Sequence, residues 1–212
     1  MRPAGRLALA ALLLLPAAAR AQEAESPPAA EEAPAWEFNA SVYGYFVPEE
    51  RDYGQPTVTA DHGALHLEAR YNYEGFDTGS VWVGWNFGFG EKLRVDGTLM
   101  LGGVFGDTSG AAPGYHLTVS YGDFELYSEG EYVIDAKQAE DNYLYNWSQL
   151  GYSPFEWLQV GLVTQRTRAY QTDLDVQRGF FVSGSWKSWS LSVYVFNPDR
   201  EPTVATAVAF SF

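Results

Sequence analysis

The chain of 212 residues contains no cysteine, few charges and fewer bases than acids. Without cysteine it can hold neither a disulfide framework nor a lipid-modified cysteine at a processed N-terminus. Charged residues make up 19% of the chain, below the roughly 25% of ordinary soluble domains. Lys and Arg number 13 against 27 Asp and Glu, a formal charge of −14. So acidic a chain lacks the basic footprint of a nucleic-acid binder, and no such partner is expected. Long apolar runs are missing as well. The longest, Leu7 to Leu15, has nine residues, where a spanning helix needs about 20.

That short run has another reading. Arg2 and Arg6 precede it and Ala19-Arg20-Ala21 follows it, the charged, apolar and small-residue order of an export signal. Residues 1–21 are therefore expected to be removed, taking three arginines with them and leaving a charge of −17 (−14 − 3). Residues 22–35 hold three prolines and four glutamates and almost nothing to bury, so a disordered acidic leader is expected. Residues 36–212 then form one domain. Periplasmic chaperones are expected partners of a chain exported in this way.

Aromatics are plentiful, at 16%, and they recur with period two. In the stretch 81–105, Val81, Val83, Trp85, Phe87 and Phe89 alternate with Trp82, Gly84, Asn86 and Gly88. Beyond the turn at Gly90-Glu91, Leu93, Val95, Leu99, Leu101 and Phe105 alternate with Arg94, Asp96 and Thr98. Side chains alternate across a strand, so this is a hairpin with one apolar face. Each arm reaches the roughly 9–11 residues of a tilted membrane-crossing strand. The pattern repeats to the end of the chain, giving twelve expected strands at about 37–47, 54–61, 64–74, 78–89, 92–105, 113–121, 124–134, 142–152, 155–168, 175–186, 189–197 and 203–212. Ten is the alternative, because Pro56 weakens the second. The fold implied is all-β, a transmembrane up-and-down antiparallel barrel with short turns at one end and longer loops at the other.

The closing strand, Val204-Ala-Thr-Ala-Val-Ala-Phe-Ser-Phe212 with the alternating Val208, Phe210 and Phe212, resembles the C-terminal signature of bacterial outer-membrane proteins. The resemblance implies recognition of Phe210 and Phe212 by the barrel-assembly machinery and a place in the outer membrane. Leu65-His-Leu-Glu-Ala-Arg-Tyr-Asn-Tyr73 and Gln165-Arg-Thr-Arg168 are similar to segments of a widespread set of bacterial outer-membrane proteins of uncharacterised activity. That likeness bears on the fold alone.

Parity sorts the remaining residues. Leu65, Leu67, Tyr71 and Tyr73 fall on the outward row. The eighth strand reads ambiguously, with Tyr143, Tyr145 and Trp147 on one parity and Leu150 and Tyr152 on the other, which suggests a β-bulge. Inward acids are Glu37, Glu68, Asp96, Glu125, Glu129 and Glu131, and inward bases are Arg70, Lys92, Arg94 and Lys187. A Glu125-Glu129-Glu131 stripe facing Arg70 and Arg94 could set charge selectivity, with a net excess of two acids (6 − 4). Bulky inward groups, among them Trp82, Tyr127, Phe181 and Tyr194, imply a narrow lumen. The outer loops read as too short to fold inward as a plug. Arg166, Arg168 and Arg178 fall on outward rows near the outer rim, where guanidinium groups suit lipopolysaccharide phosphates.

The reading that follows is a narrow pore for small solutes with weak cation preference. The alternatives are a structural barrel with a plugged lumen and, third, a barrel-embedded lipid-modifying enzyme. The third needs a histidine that activates a serine on the lipid-facing wall, yet His66 and His116 both face inward and His62 sits in a turn. No cofactor is expected. A metal site joining His116 to Glu129 or Glu131 has no ligand spacing behind it. Oligomeric state is not legible.

Overall fold

The computed structural model describes residues 34–46, 51–169 and 175–212. The expected signal, most of the leader and parts of two outer loops lie outside these residues. Twelve strands form: β1 (Glu37–Phe46), β2 (Tyr53–His62), β3 (Leu65–Tyr71), β4 (Thr78–Phe89), β5 (Leu93–Gly106) and β6 (Gly110–Tyr121). They continue as β7 (Phe124–Asp135), β8 (Tyr143–Phe155), β9 (Leu158–Ala169), β10 (Asp175–Trp186), β11 (Trp189–Phe196) and β12 (Thr203–Ser211). Every strand pairs antiparallel with its sequence neighbours, and β1 pairs with β12 to close the barrel. At the seam Phe38 and Phe212 exchange backbone hydrogen bonds of 3.0 Å in both directions. Closure leaves no strand edge unpaired, the condition for a sheet to sit in hydrocarbon.

Twelve strands, not ten, follow from how Pro56 is accommodated. It opposes Val42 of β1, while the pairing of β2 with β3 begins one residue later, at Thr57. The missing N–H of proline therefore interrupts no ladder on that side. Pro113 is handled similarly, beside a gap in the β6–β7 pairing between Ala111 and Gly114. Strand β6 accordingly starts at Gly110, three residues earlier than the sequence suggests, and the loop before it is short.

The two faces separate as alternation requires. Outward Trp85 and Leu101 are each 65% exposed, whereas inward Trp82 is 3% and Phe181 2% exposed. So continuous an apolar exterior would be an aggregation surface in water; it is matched to lipid. Aromatics ring the turn end: Trp189 lies 4.5 Å from Phe210, Phe210 5.4 Å from Phe212, and Phe212 5.5 Å from Phe38.

Three sequence expectations need correction. Strand β8 has no bulge between Tyr143 and Tyr152, where its register with β7 and β9 is continuous. Tyr143, Tyr145 and Trp147 face the lumen and Leu150 and Tyr152 face out, which is a single parity. The shift lies at Tyr152/Phe155, and β8 turns back at Glu156-Trp157 rather than at Ser153-Pro154. Second, β3 stops at Tyr71, and Tyr73 is not on the outward row. Asn72 and Asp77 adopt left-handed φ values of 57° and 50°, and Asn72 Oδ1 accepts from the Asp77 N–H at 3.0 Å. Third, the loop pinched off in this way does enter the barrel, short as it is.

Inside, two apolar groups fill part of the lumen. One gathers Tyr45, Trp147, Val163, Phe181, Tyr194 and Phe196; the other gathers Trp82, Met100, Val104, Ala112 and Val133. Trp82 lies flat against Gly102 of β5, where an added Cβ would stand 2.4 Å from Trp82 Cδ2. Gly102→Ala should therefore destabilise the refolded barrel by about 1–3 kcal/mol, an overpacking cost. Gly103→Ala, whose Cβ would meet nothing within 4 Å, should leave the urea midpoint unchanged. Equal effects of the two substitutions would contradict the packing assigned to Trp82.

Candidate functional site: a charged wall and a tyrosine constriction in the lumen

Because inward positions repeat every second residue, β3 presents His66, Glu68 and Arg70 as one column. Arg70 is the hub. Its Nε donates to Glu68 Oε1 at 2.6 Å and its Nη1 donates to Glu131 Oε2 at 2.8 Å. The guanidinium carbon lies 4.3 Å from the Tyr73 ring centroid and 4.5 Å from that of Trp82, within cation–π range. Arg70, Glu68, Glu74 and Glu131 are all buried. Glu74 Oε1 accepts from Ser80 Oγ at 2.5 Å, and Ser80 Oγ accepts from Trp82 Nε1 at 2.9 Å. One oxygen each of Glu74 and Glu131 is buried with no hydrogen-bond partner.

The 72–77 loop carries Tyr73 into the lumen. Tyr73 donates to Glu129 Oε1 and Tyr127 to Glu129 Oε2, each at 2.5 Å. Tyr73 also meets Tyr145 edge-on with centroids 5.5 Å apart. The loop backbone is tied down by Tyr143, which donates to the Glu74 carbonyl at 2.8 Å. Two cavities result. One of about 670 Å³ runs from Glu37, Asp61 and Gly63 at the turn end up to Tyr45, Tyr73 and Tyr145. The other, about 270 Å³, lies on the loop side and is lined by Tyr45, Tyr53, Gln55, Asn72, Tyr73 and Phe76 among others. Tyr45, Gln55 and Tyr73 border both, so they form the constriction between them.

Parity put Glu125, Glu129 and Glu131 on the inward face of β7, and that is where they stand, but they are not a continuous stripe of free carboxylates. Glu131 is buried against Arg70, Glu129 is capped by two tyrosines, and Glu125 accepts from Gln159 Nε2 at 3.3 Å near the turn end. Arg94 does not face them. It closes a bidentate pair on Asp96, with both contacts 2.7 Å, and both side chains are largely exposed at the mouth. Trp82, Tyr127, Phe181 and Tyr194 all line the interior.

On the outer wall, Arg178 Nη2 donates to Asp199 Oδ2 at 2.9 Å. Asp199 sits in the β11–β12 loop, where its backbone hydrogen bond and then Arg178 hold its carboxyl below the ordinary range. Arg166 is exposed on the outward row of β9, and the Arg168 side chain lies outside the described residues. The same wall carries a hydrogen-bonded polar group: Asn146 Nδ2 donates to the Glu129 carbonyl at 2.8 Å and Tyr115 Oη at 3.0 Å, and Ser128 and Ser148 hydroxyls meet at 3.0 Å. His66 and His116 face the lumen, on the other side of the wall from these serines.

No family model and no curated protein sequence matches the chain. Solved structures do resemble it. A KdgM porin superposes with a TM-score of 0.59 at 12% identity, over 82% of this chain and 99% of that one. The KdgM porin in complex with disordered oligogalacturonate gives 0.56 at 12% identity, over 83% and 99%. The Acinetobacter baumannii outer membrane protein Omp33 gives 0.49 at 12% identity, over 84% and 98%. At 12% identity the two KdgM porin superpositions bear on fold alone, and with the closed twelve-strand topology they define the class: the β-barrel fold of outer-membrane proteins.

Since Arg70 is enclosed by acids, removing its charge would strand them. Arg70→Met should cost about 3–5 kcal/mol in urea unfolding, the usual cost of an uncompensated buried charge. Adding Glu68→Gln and Glu131→Gln to that variant should recover much of the loss. No recovery would show that Arg70 acts by packing rather than by charge.

Proposed function

We propose that the barrel is a narrow outer-membrane pore for small solutes with a weak preference for cations. The observation that carries this reading is the lining of the larger cavity. Among the described residues it holds four acids, Glu37, Asp61, Glu68 and Glu129, and no lysine or arginine. Acid-lined passages favour cations. Among the described residues the guanidinium buried in this wall is that of Arg70, which is neutralised from behind by Glu68 and Glu131. The tyrosine constriction suits small solutes and excludes chain-like ones. The oligogalacturonate named with one structural neighbour is a polyanion, and this acidic lining does not favour such a ligand.

A second reading, a closed barrel with a structural role, is favoured by the way Tyr73 is locked to Glu129 and Tyr145. Bilayer recordings of refolded protein separate the two. A pore gives discrete steps and a reversal potential displaced toward cations across a salt gradient. Glu37→Gln with Glu129→Gln should shrink that displacement, and Tyr73→Ala should raise the unitary conductance severalfold. Silence from folded wild-type protein together with steps from Tyr73→Ala would support the closed barrel.

At the outer rim we infer that Arg166 contacts lipid phosphates of the outer leaflet, because an exposed guanidinium on the lipid-facing row has phosphate as its natural bidentate partner. Arg178 contributes less, being already paired with Asp199. Unchanged lipopolysaccharide co-purification in Arg166→Gln would overturn that assignment.

A further inference from the structure

His66 poses a hydrogen-bonding problem. Its Nδ1 lies 2.7 Å from Asp61 Oδ1 and its Nε2 lies 3.1 Å from Glu68 Oε2. A neutral imidazole has one N–H, so it serves one carboxylate and turns a lone pair toward the other. A second imidazole faces the same spot: His116 Nε2 is 3.8 Å from Glu68 Oε2 and 3.8 Å from Glu129 Oε2. The ligating atoms of His66, Glu68 and His116 all lie within 4.8 Å of one another. The convergence of two imidazole nitrogens and a carboxylate oxygen leaves room for a single shared electrophile.

We propose that His66 Nε2, His116 Nε2 and Glu68 Oε2 bind one divalent transition-metal ion of the zinc class in the lumen wall, a three-ligand site of the kind that keeps its fourth position open.

The distances fit. With metal–ligand bonds of about 2.0–2.2 Å, neighbouring donors of a tetrahedral site stand about 3.3–3.5 Å apart. The His66–Glu68 and His116–Glu68 separations of 3.1 and 3.8 Å bracket that range, and the three donor atoms all lie within 4.8 Å of one another. Mixed imidazole and carboxylate donors suit zinc and its neighbours better than calcium or magnesium.

The outer shell is also present. Metal-bound histidines usually donate their other N–H to a carboxylate, which fixes the ring. Asp61 does this for His66, and Asp61 Oδ1 is itself held by Asn86 Nδ2 at 2.6 Å. Asn86 Oδ1 in turn accepts from Thr98 Oγ1 at 2.6 Å. Glu68 is oriented through its other oxygen, by Arg70 Nε. Gly84 stands opposite His66 in the β3–β4 ladder, where an added Cβ would press on Thr98 and Met100, and the His66 and His116 rings approach to 5.8 Å.

Charge and access complete the case. The connected network holds Asp61, Glu68, Glu74, Glu129 and Glu131 against the single fixed cation Arg70. A divalent ion offsets part of that excess. All three donors and Asp61 line the 670 Å³ cavity, which gives an ion its path from the turn end. Arg70 Nη2, 3.4 Å from His116 Nε2, must withdraw when the ion arrives, and its bonds to Glu68 and Glu131 are enough to hold it. The competing arrangement is a doubly protonated His66 bridging Asp61 and Glu68 with no metal.

The test uses the full chain refolded in detergent, stripped with chelator and titrated with Zn²⁺ by calorimetry, then with Co²⁺ by visible absorption. The expected result is one equivalent of Zn²⁺ and a ligand-field spectrum of low-symmetry cobalt. His116→Ala should abolish both, and Asp61→Asn should weaken binding about 10- to 100-fold, as loss of an outer-shell carboxylate does. Folding of each variant is checked by its heat-dependent gel mobility. His116→Gln replaces His116→Ala if the latter does not fold. Folded wild-type protein that binds no stoichiometric metal, or binding that survives loss of His116, overturns the proposal. Both readouts are equilibrium measurements, so they are independent of whether the lumen conducts.

Discussion

In hydrocarbon a backbone N–H or C=O without a partner costs several kcal/mol, and the structure is arranged around that constraint. Ten-residue strands cannot satisfy their own polar groups, so each must lie between two others. The seam from Phe38–Phe212 to Phe46–Val204 lets the first strand complete the last. Where proline removes a donor, the ladder is already interrupted or has not yet begun, as at Pro113 and Pro56. Once the sheet is closed, the outer wall must be apolar, and every charge carried within the strands is driven to the lumen, the mouth or the rim.

The lumen therefore concentrates what a soluble protein would spread over its surface. Burying several carboxylates in a narrow space is unfavourable unless they are compensated, and Arg70 provides the compensation for one wall. Because it engages Glu68 and Glu131 directly and stacks on Tyr73 and Trp82, it couples β3, β4, β7 and the 72–77 loop. The opposite side is filled by aromatic packing around Trp147, Tyr194 and Phe196, whose rings meet at 5.0–6.4 Å. Between the polar wall and the apolar filling, Tyr45, Gln55 and Tyr73 stand between the two cavities, and a six-residue loop places Tyr73 there.

Period-two alternation made most of this barrel legible. Strand number, the inward set Trp82, Tyr127, Phe181 and Tyr194, and the inward parity of the β7 glutamates all followed from it. It failed where residue type and face part company. Tyr143, Tyr145 and Trp147 look like girdle aromatics, but a twelve-strand lumen has to be filled, and aromatic side chains fill it. Tyr73 seemed to continue the row of Tyr71 because alternation cannot see a left-handed Asn72. The pairing of Glu131 with Arg70, 61 positions away, and the meeting of His66 with His116 across two intervening strands leave no local trace. A histidine two residues before a glutamate on an inward row was visible, but nothing local says what lies across the lumen.

What the sequence determined by itself is thus the wall: which residues face lipid, how many times the chain crosses, and that it ends on a closing strand. Those properties depend on each strand separately, through the two-residue repeat and the hydrophobic requirement of the bilayer. What only the tertiary structure decided is the content of the lumen. Closure curves the sheet and brings β3, β6 and β7 inward onto shared space, so that which carboxylates are neutralised, which tyrosines fill the lumen and which imidazoles converge depends on register and curvature. Those are properties of the closed ring and not of any one strand.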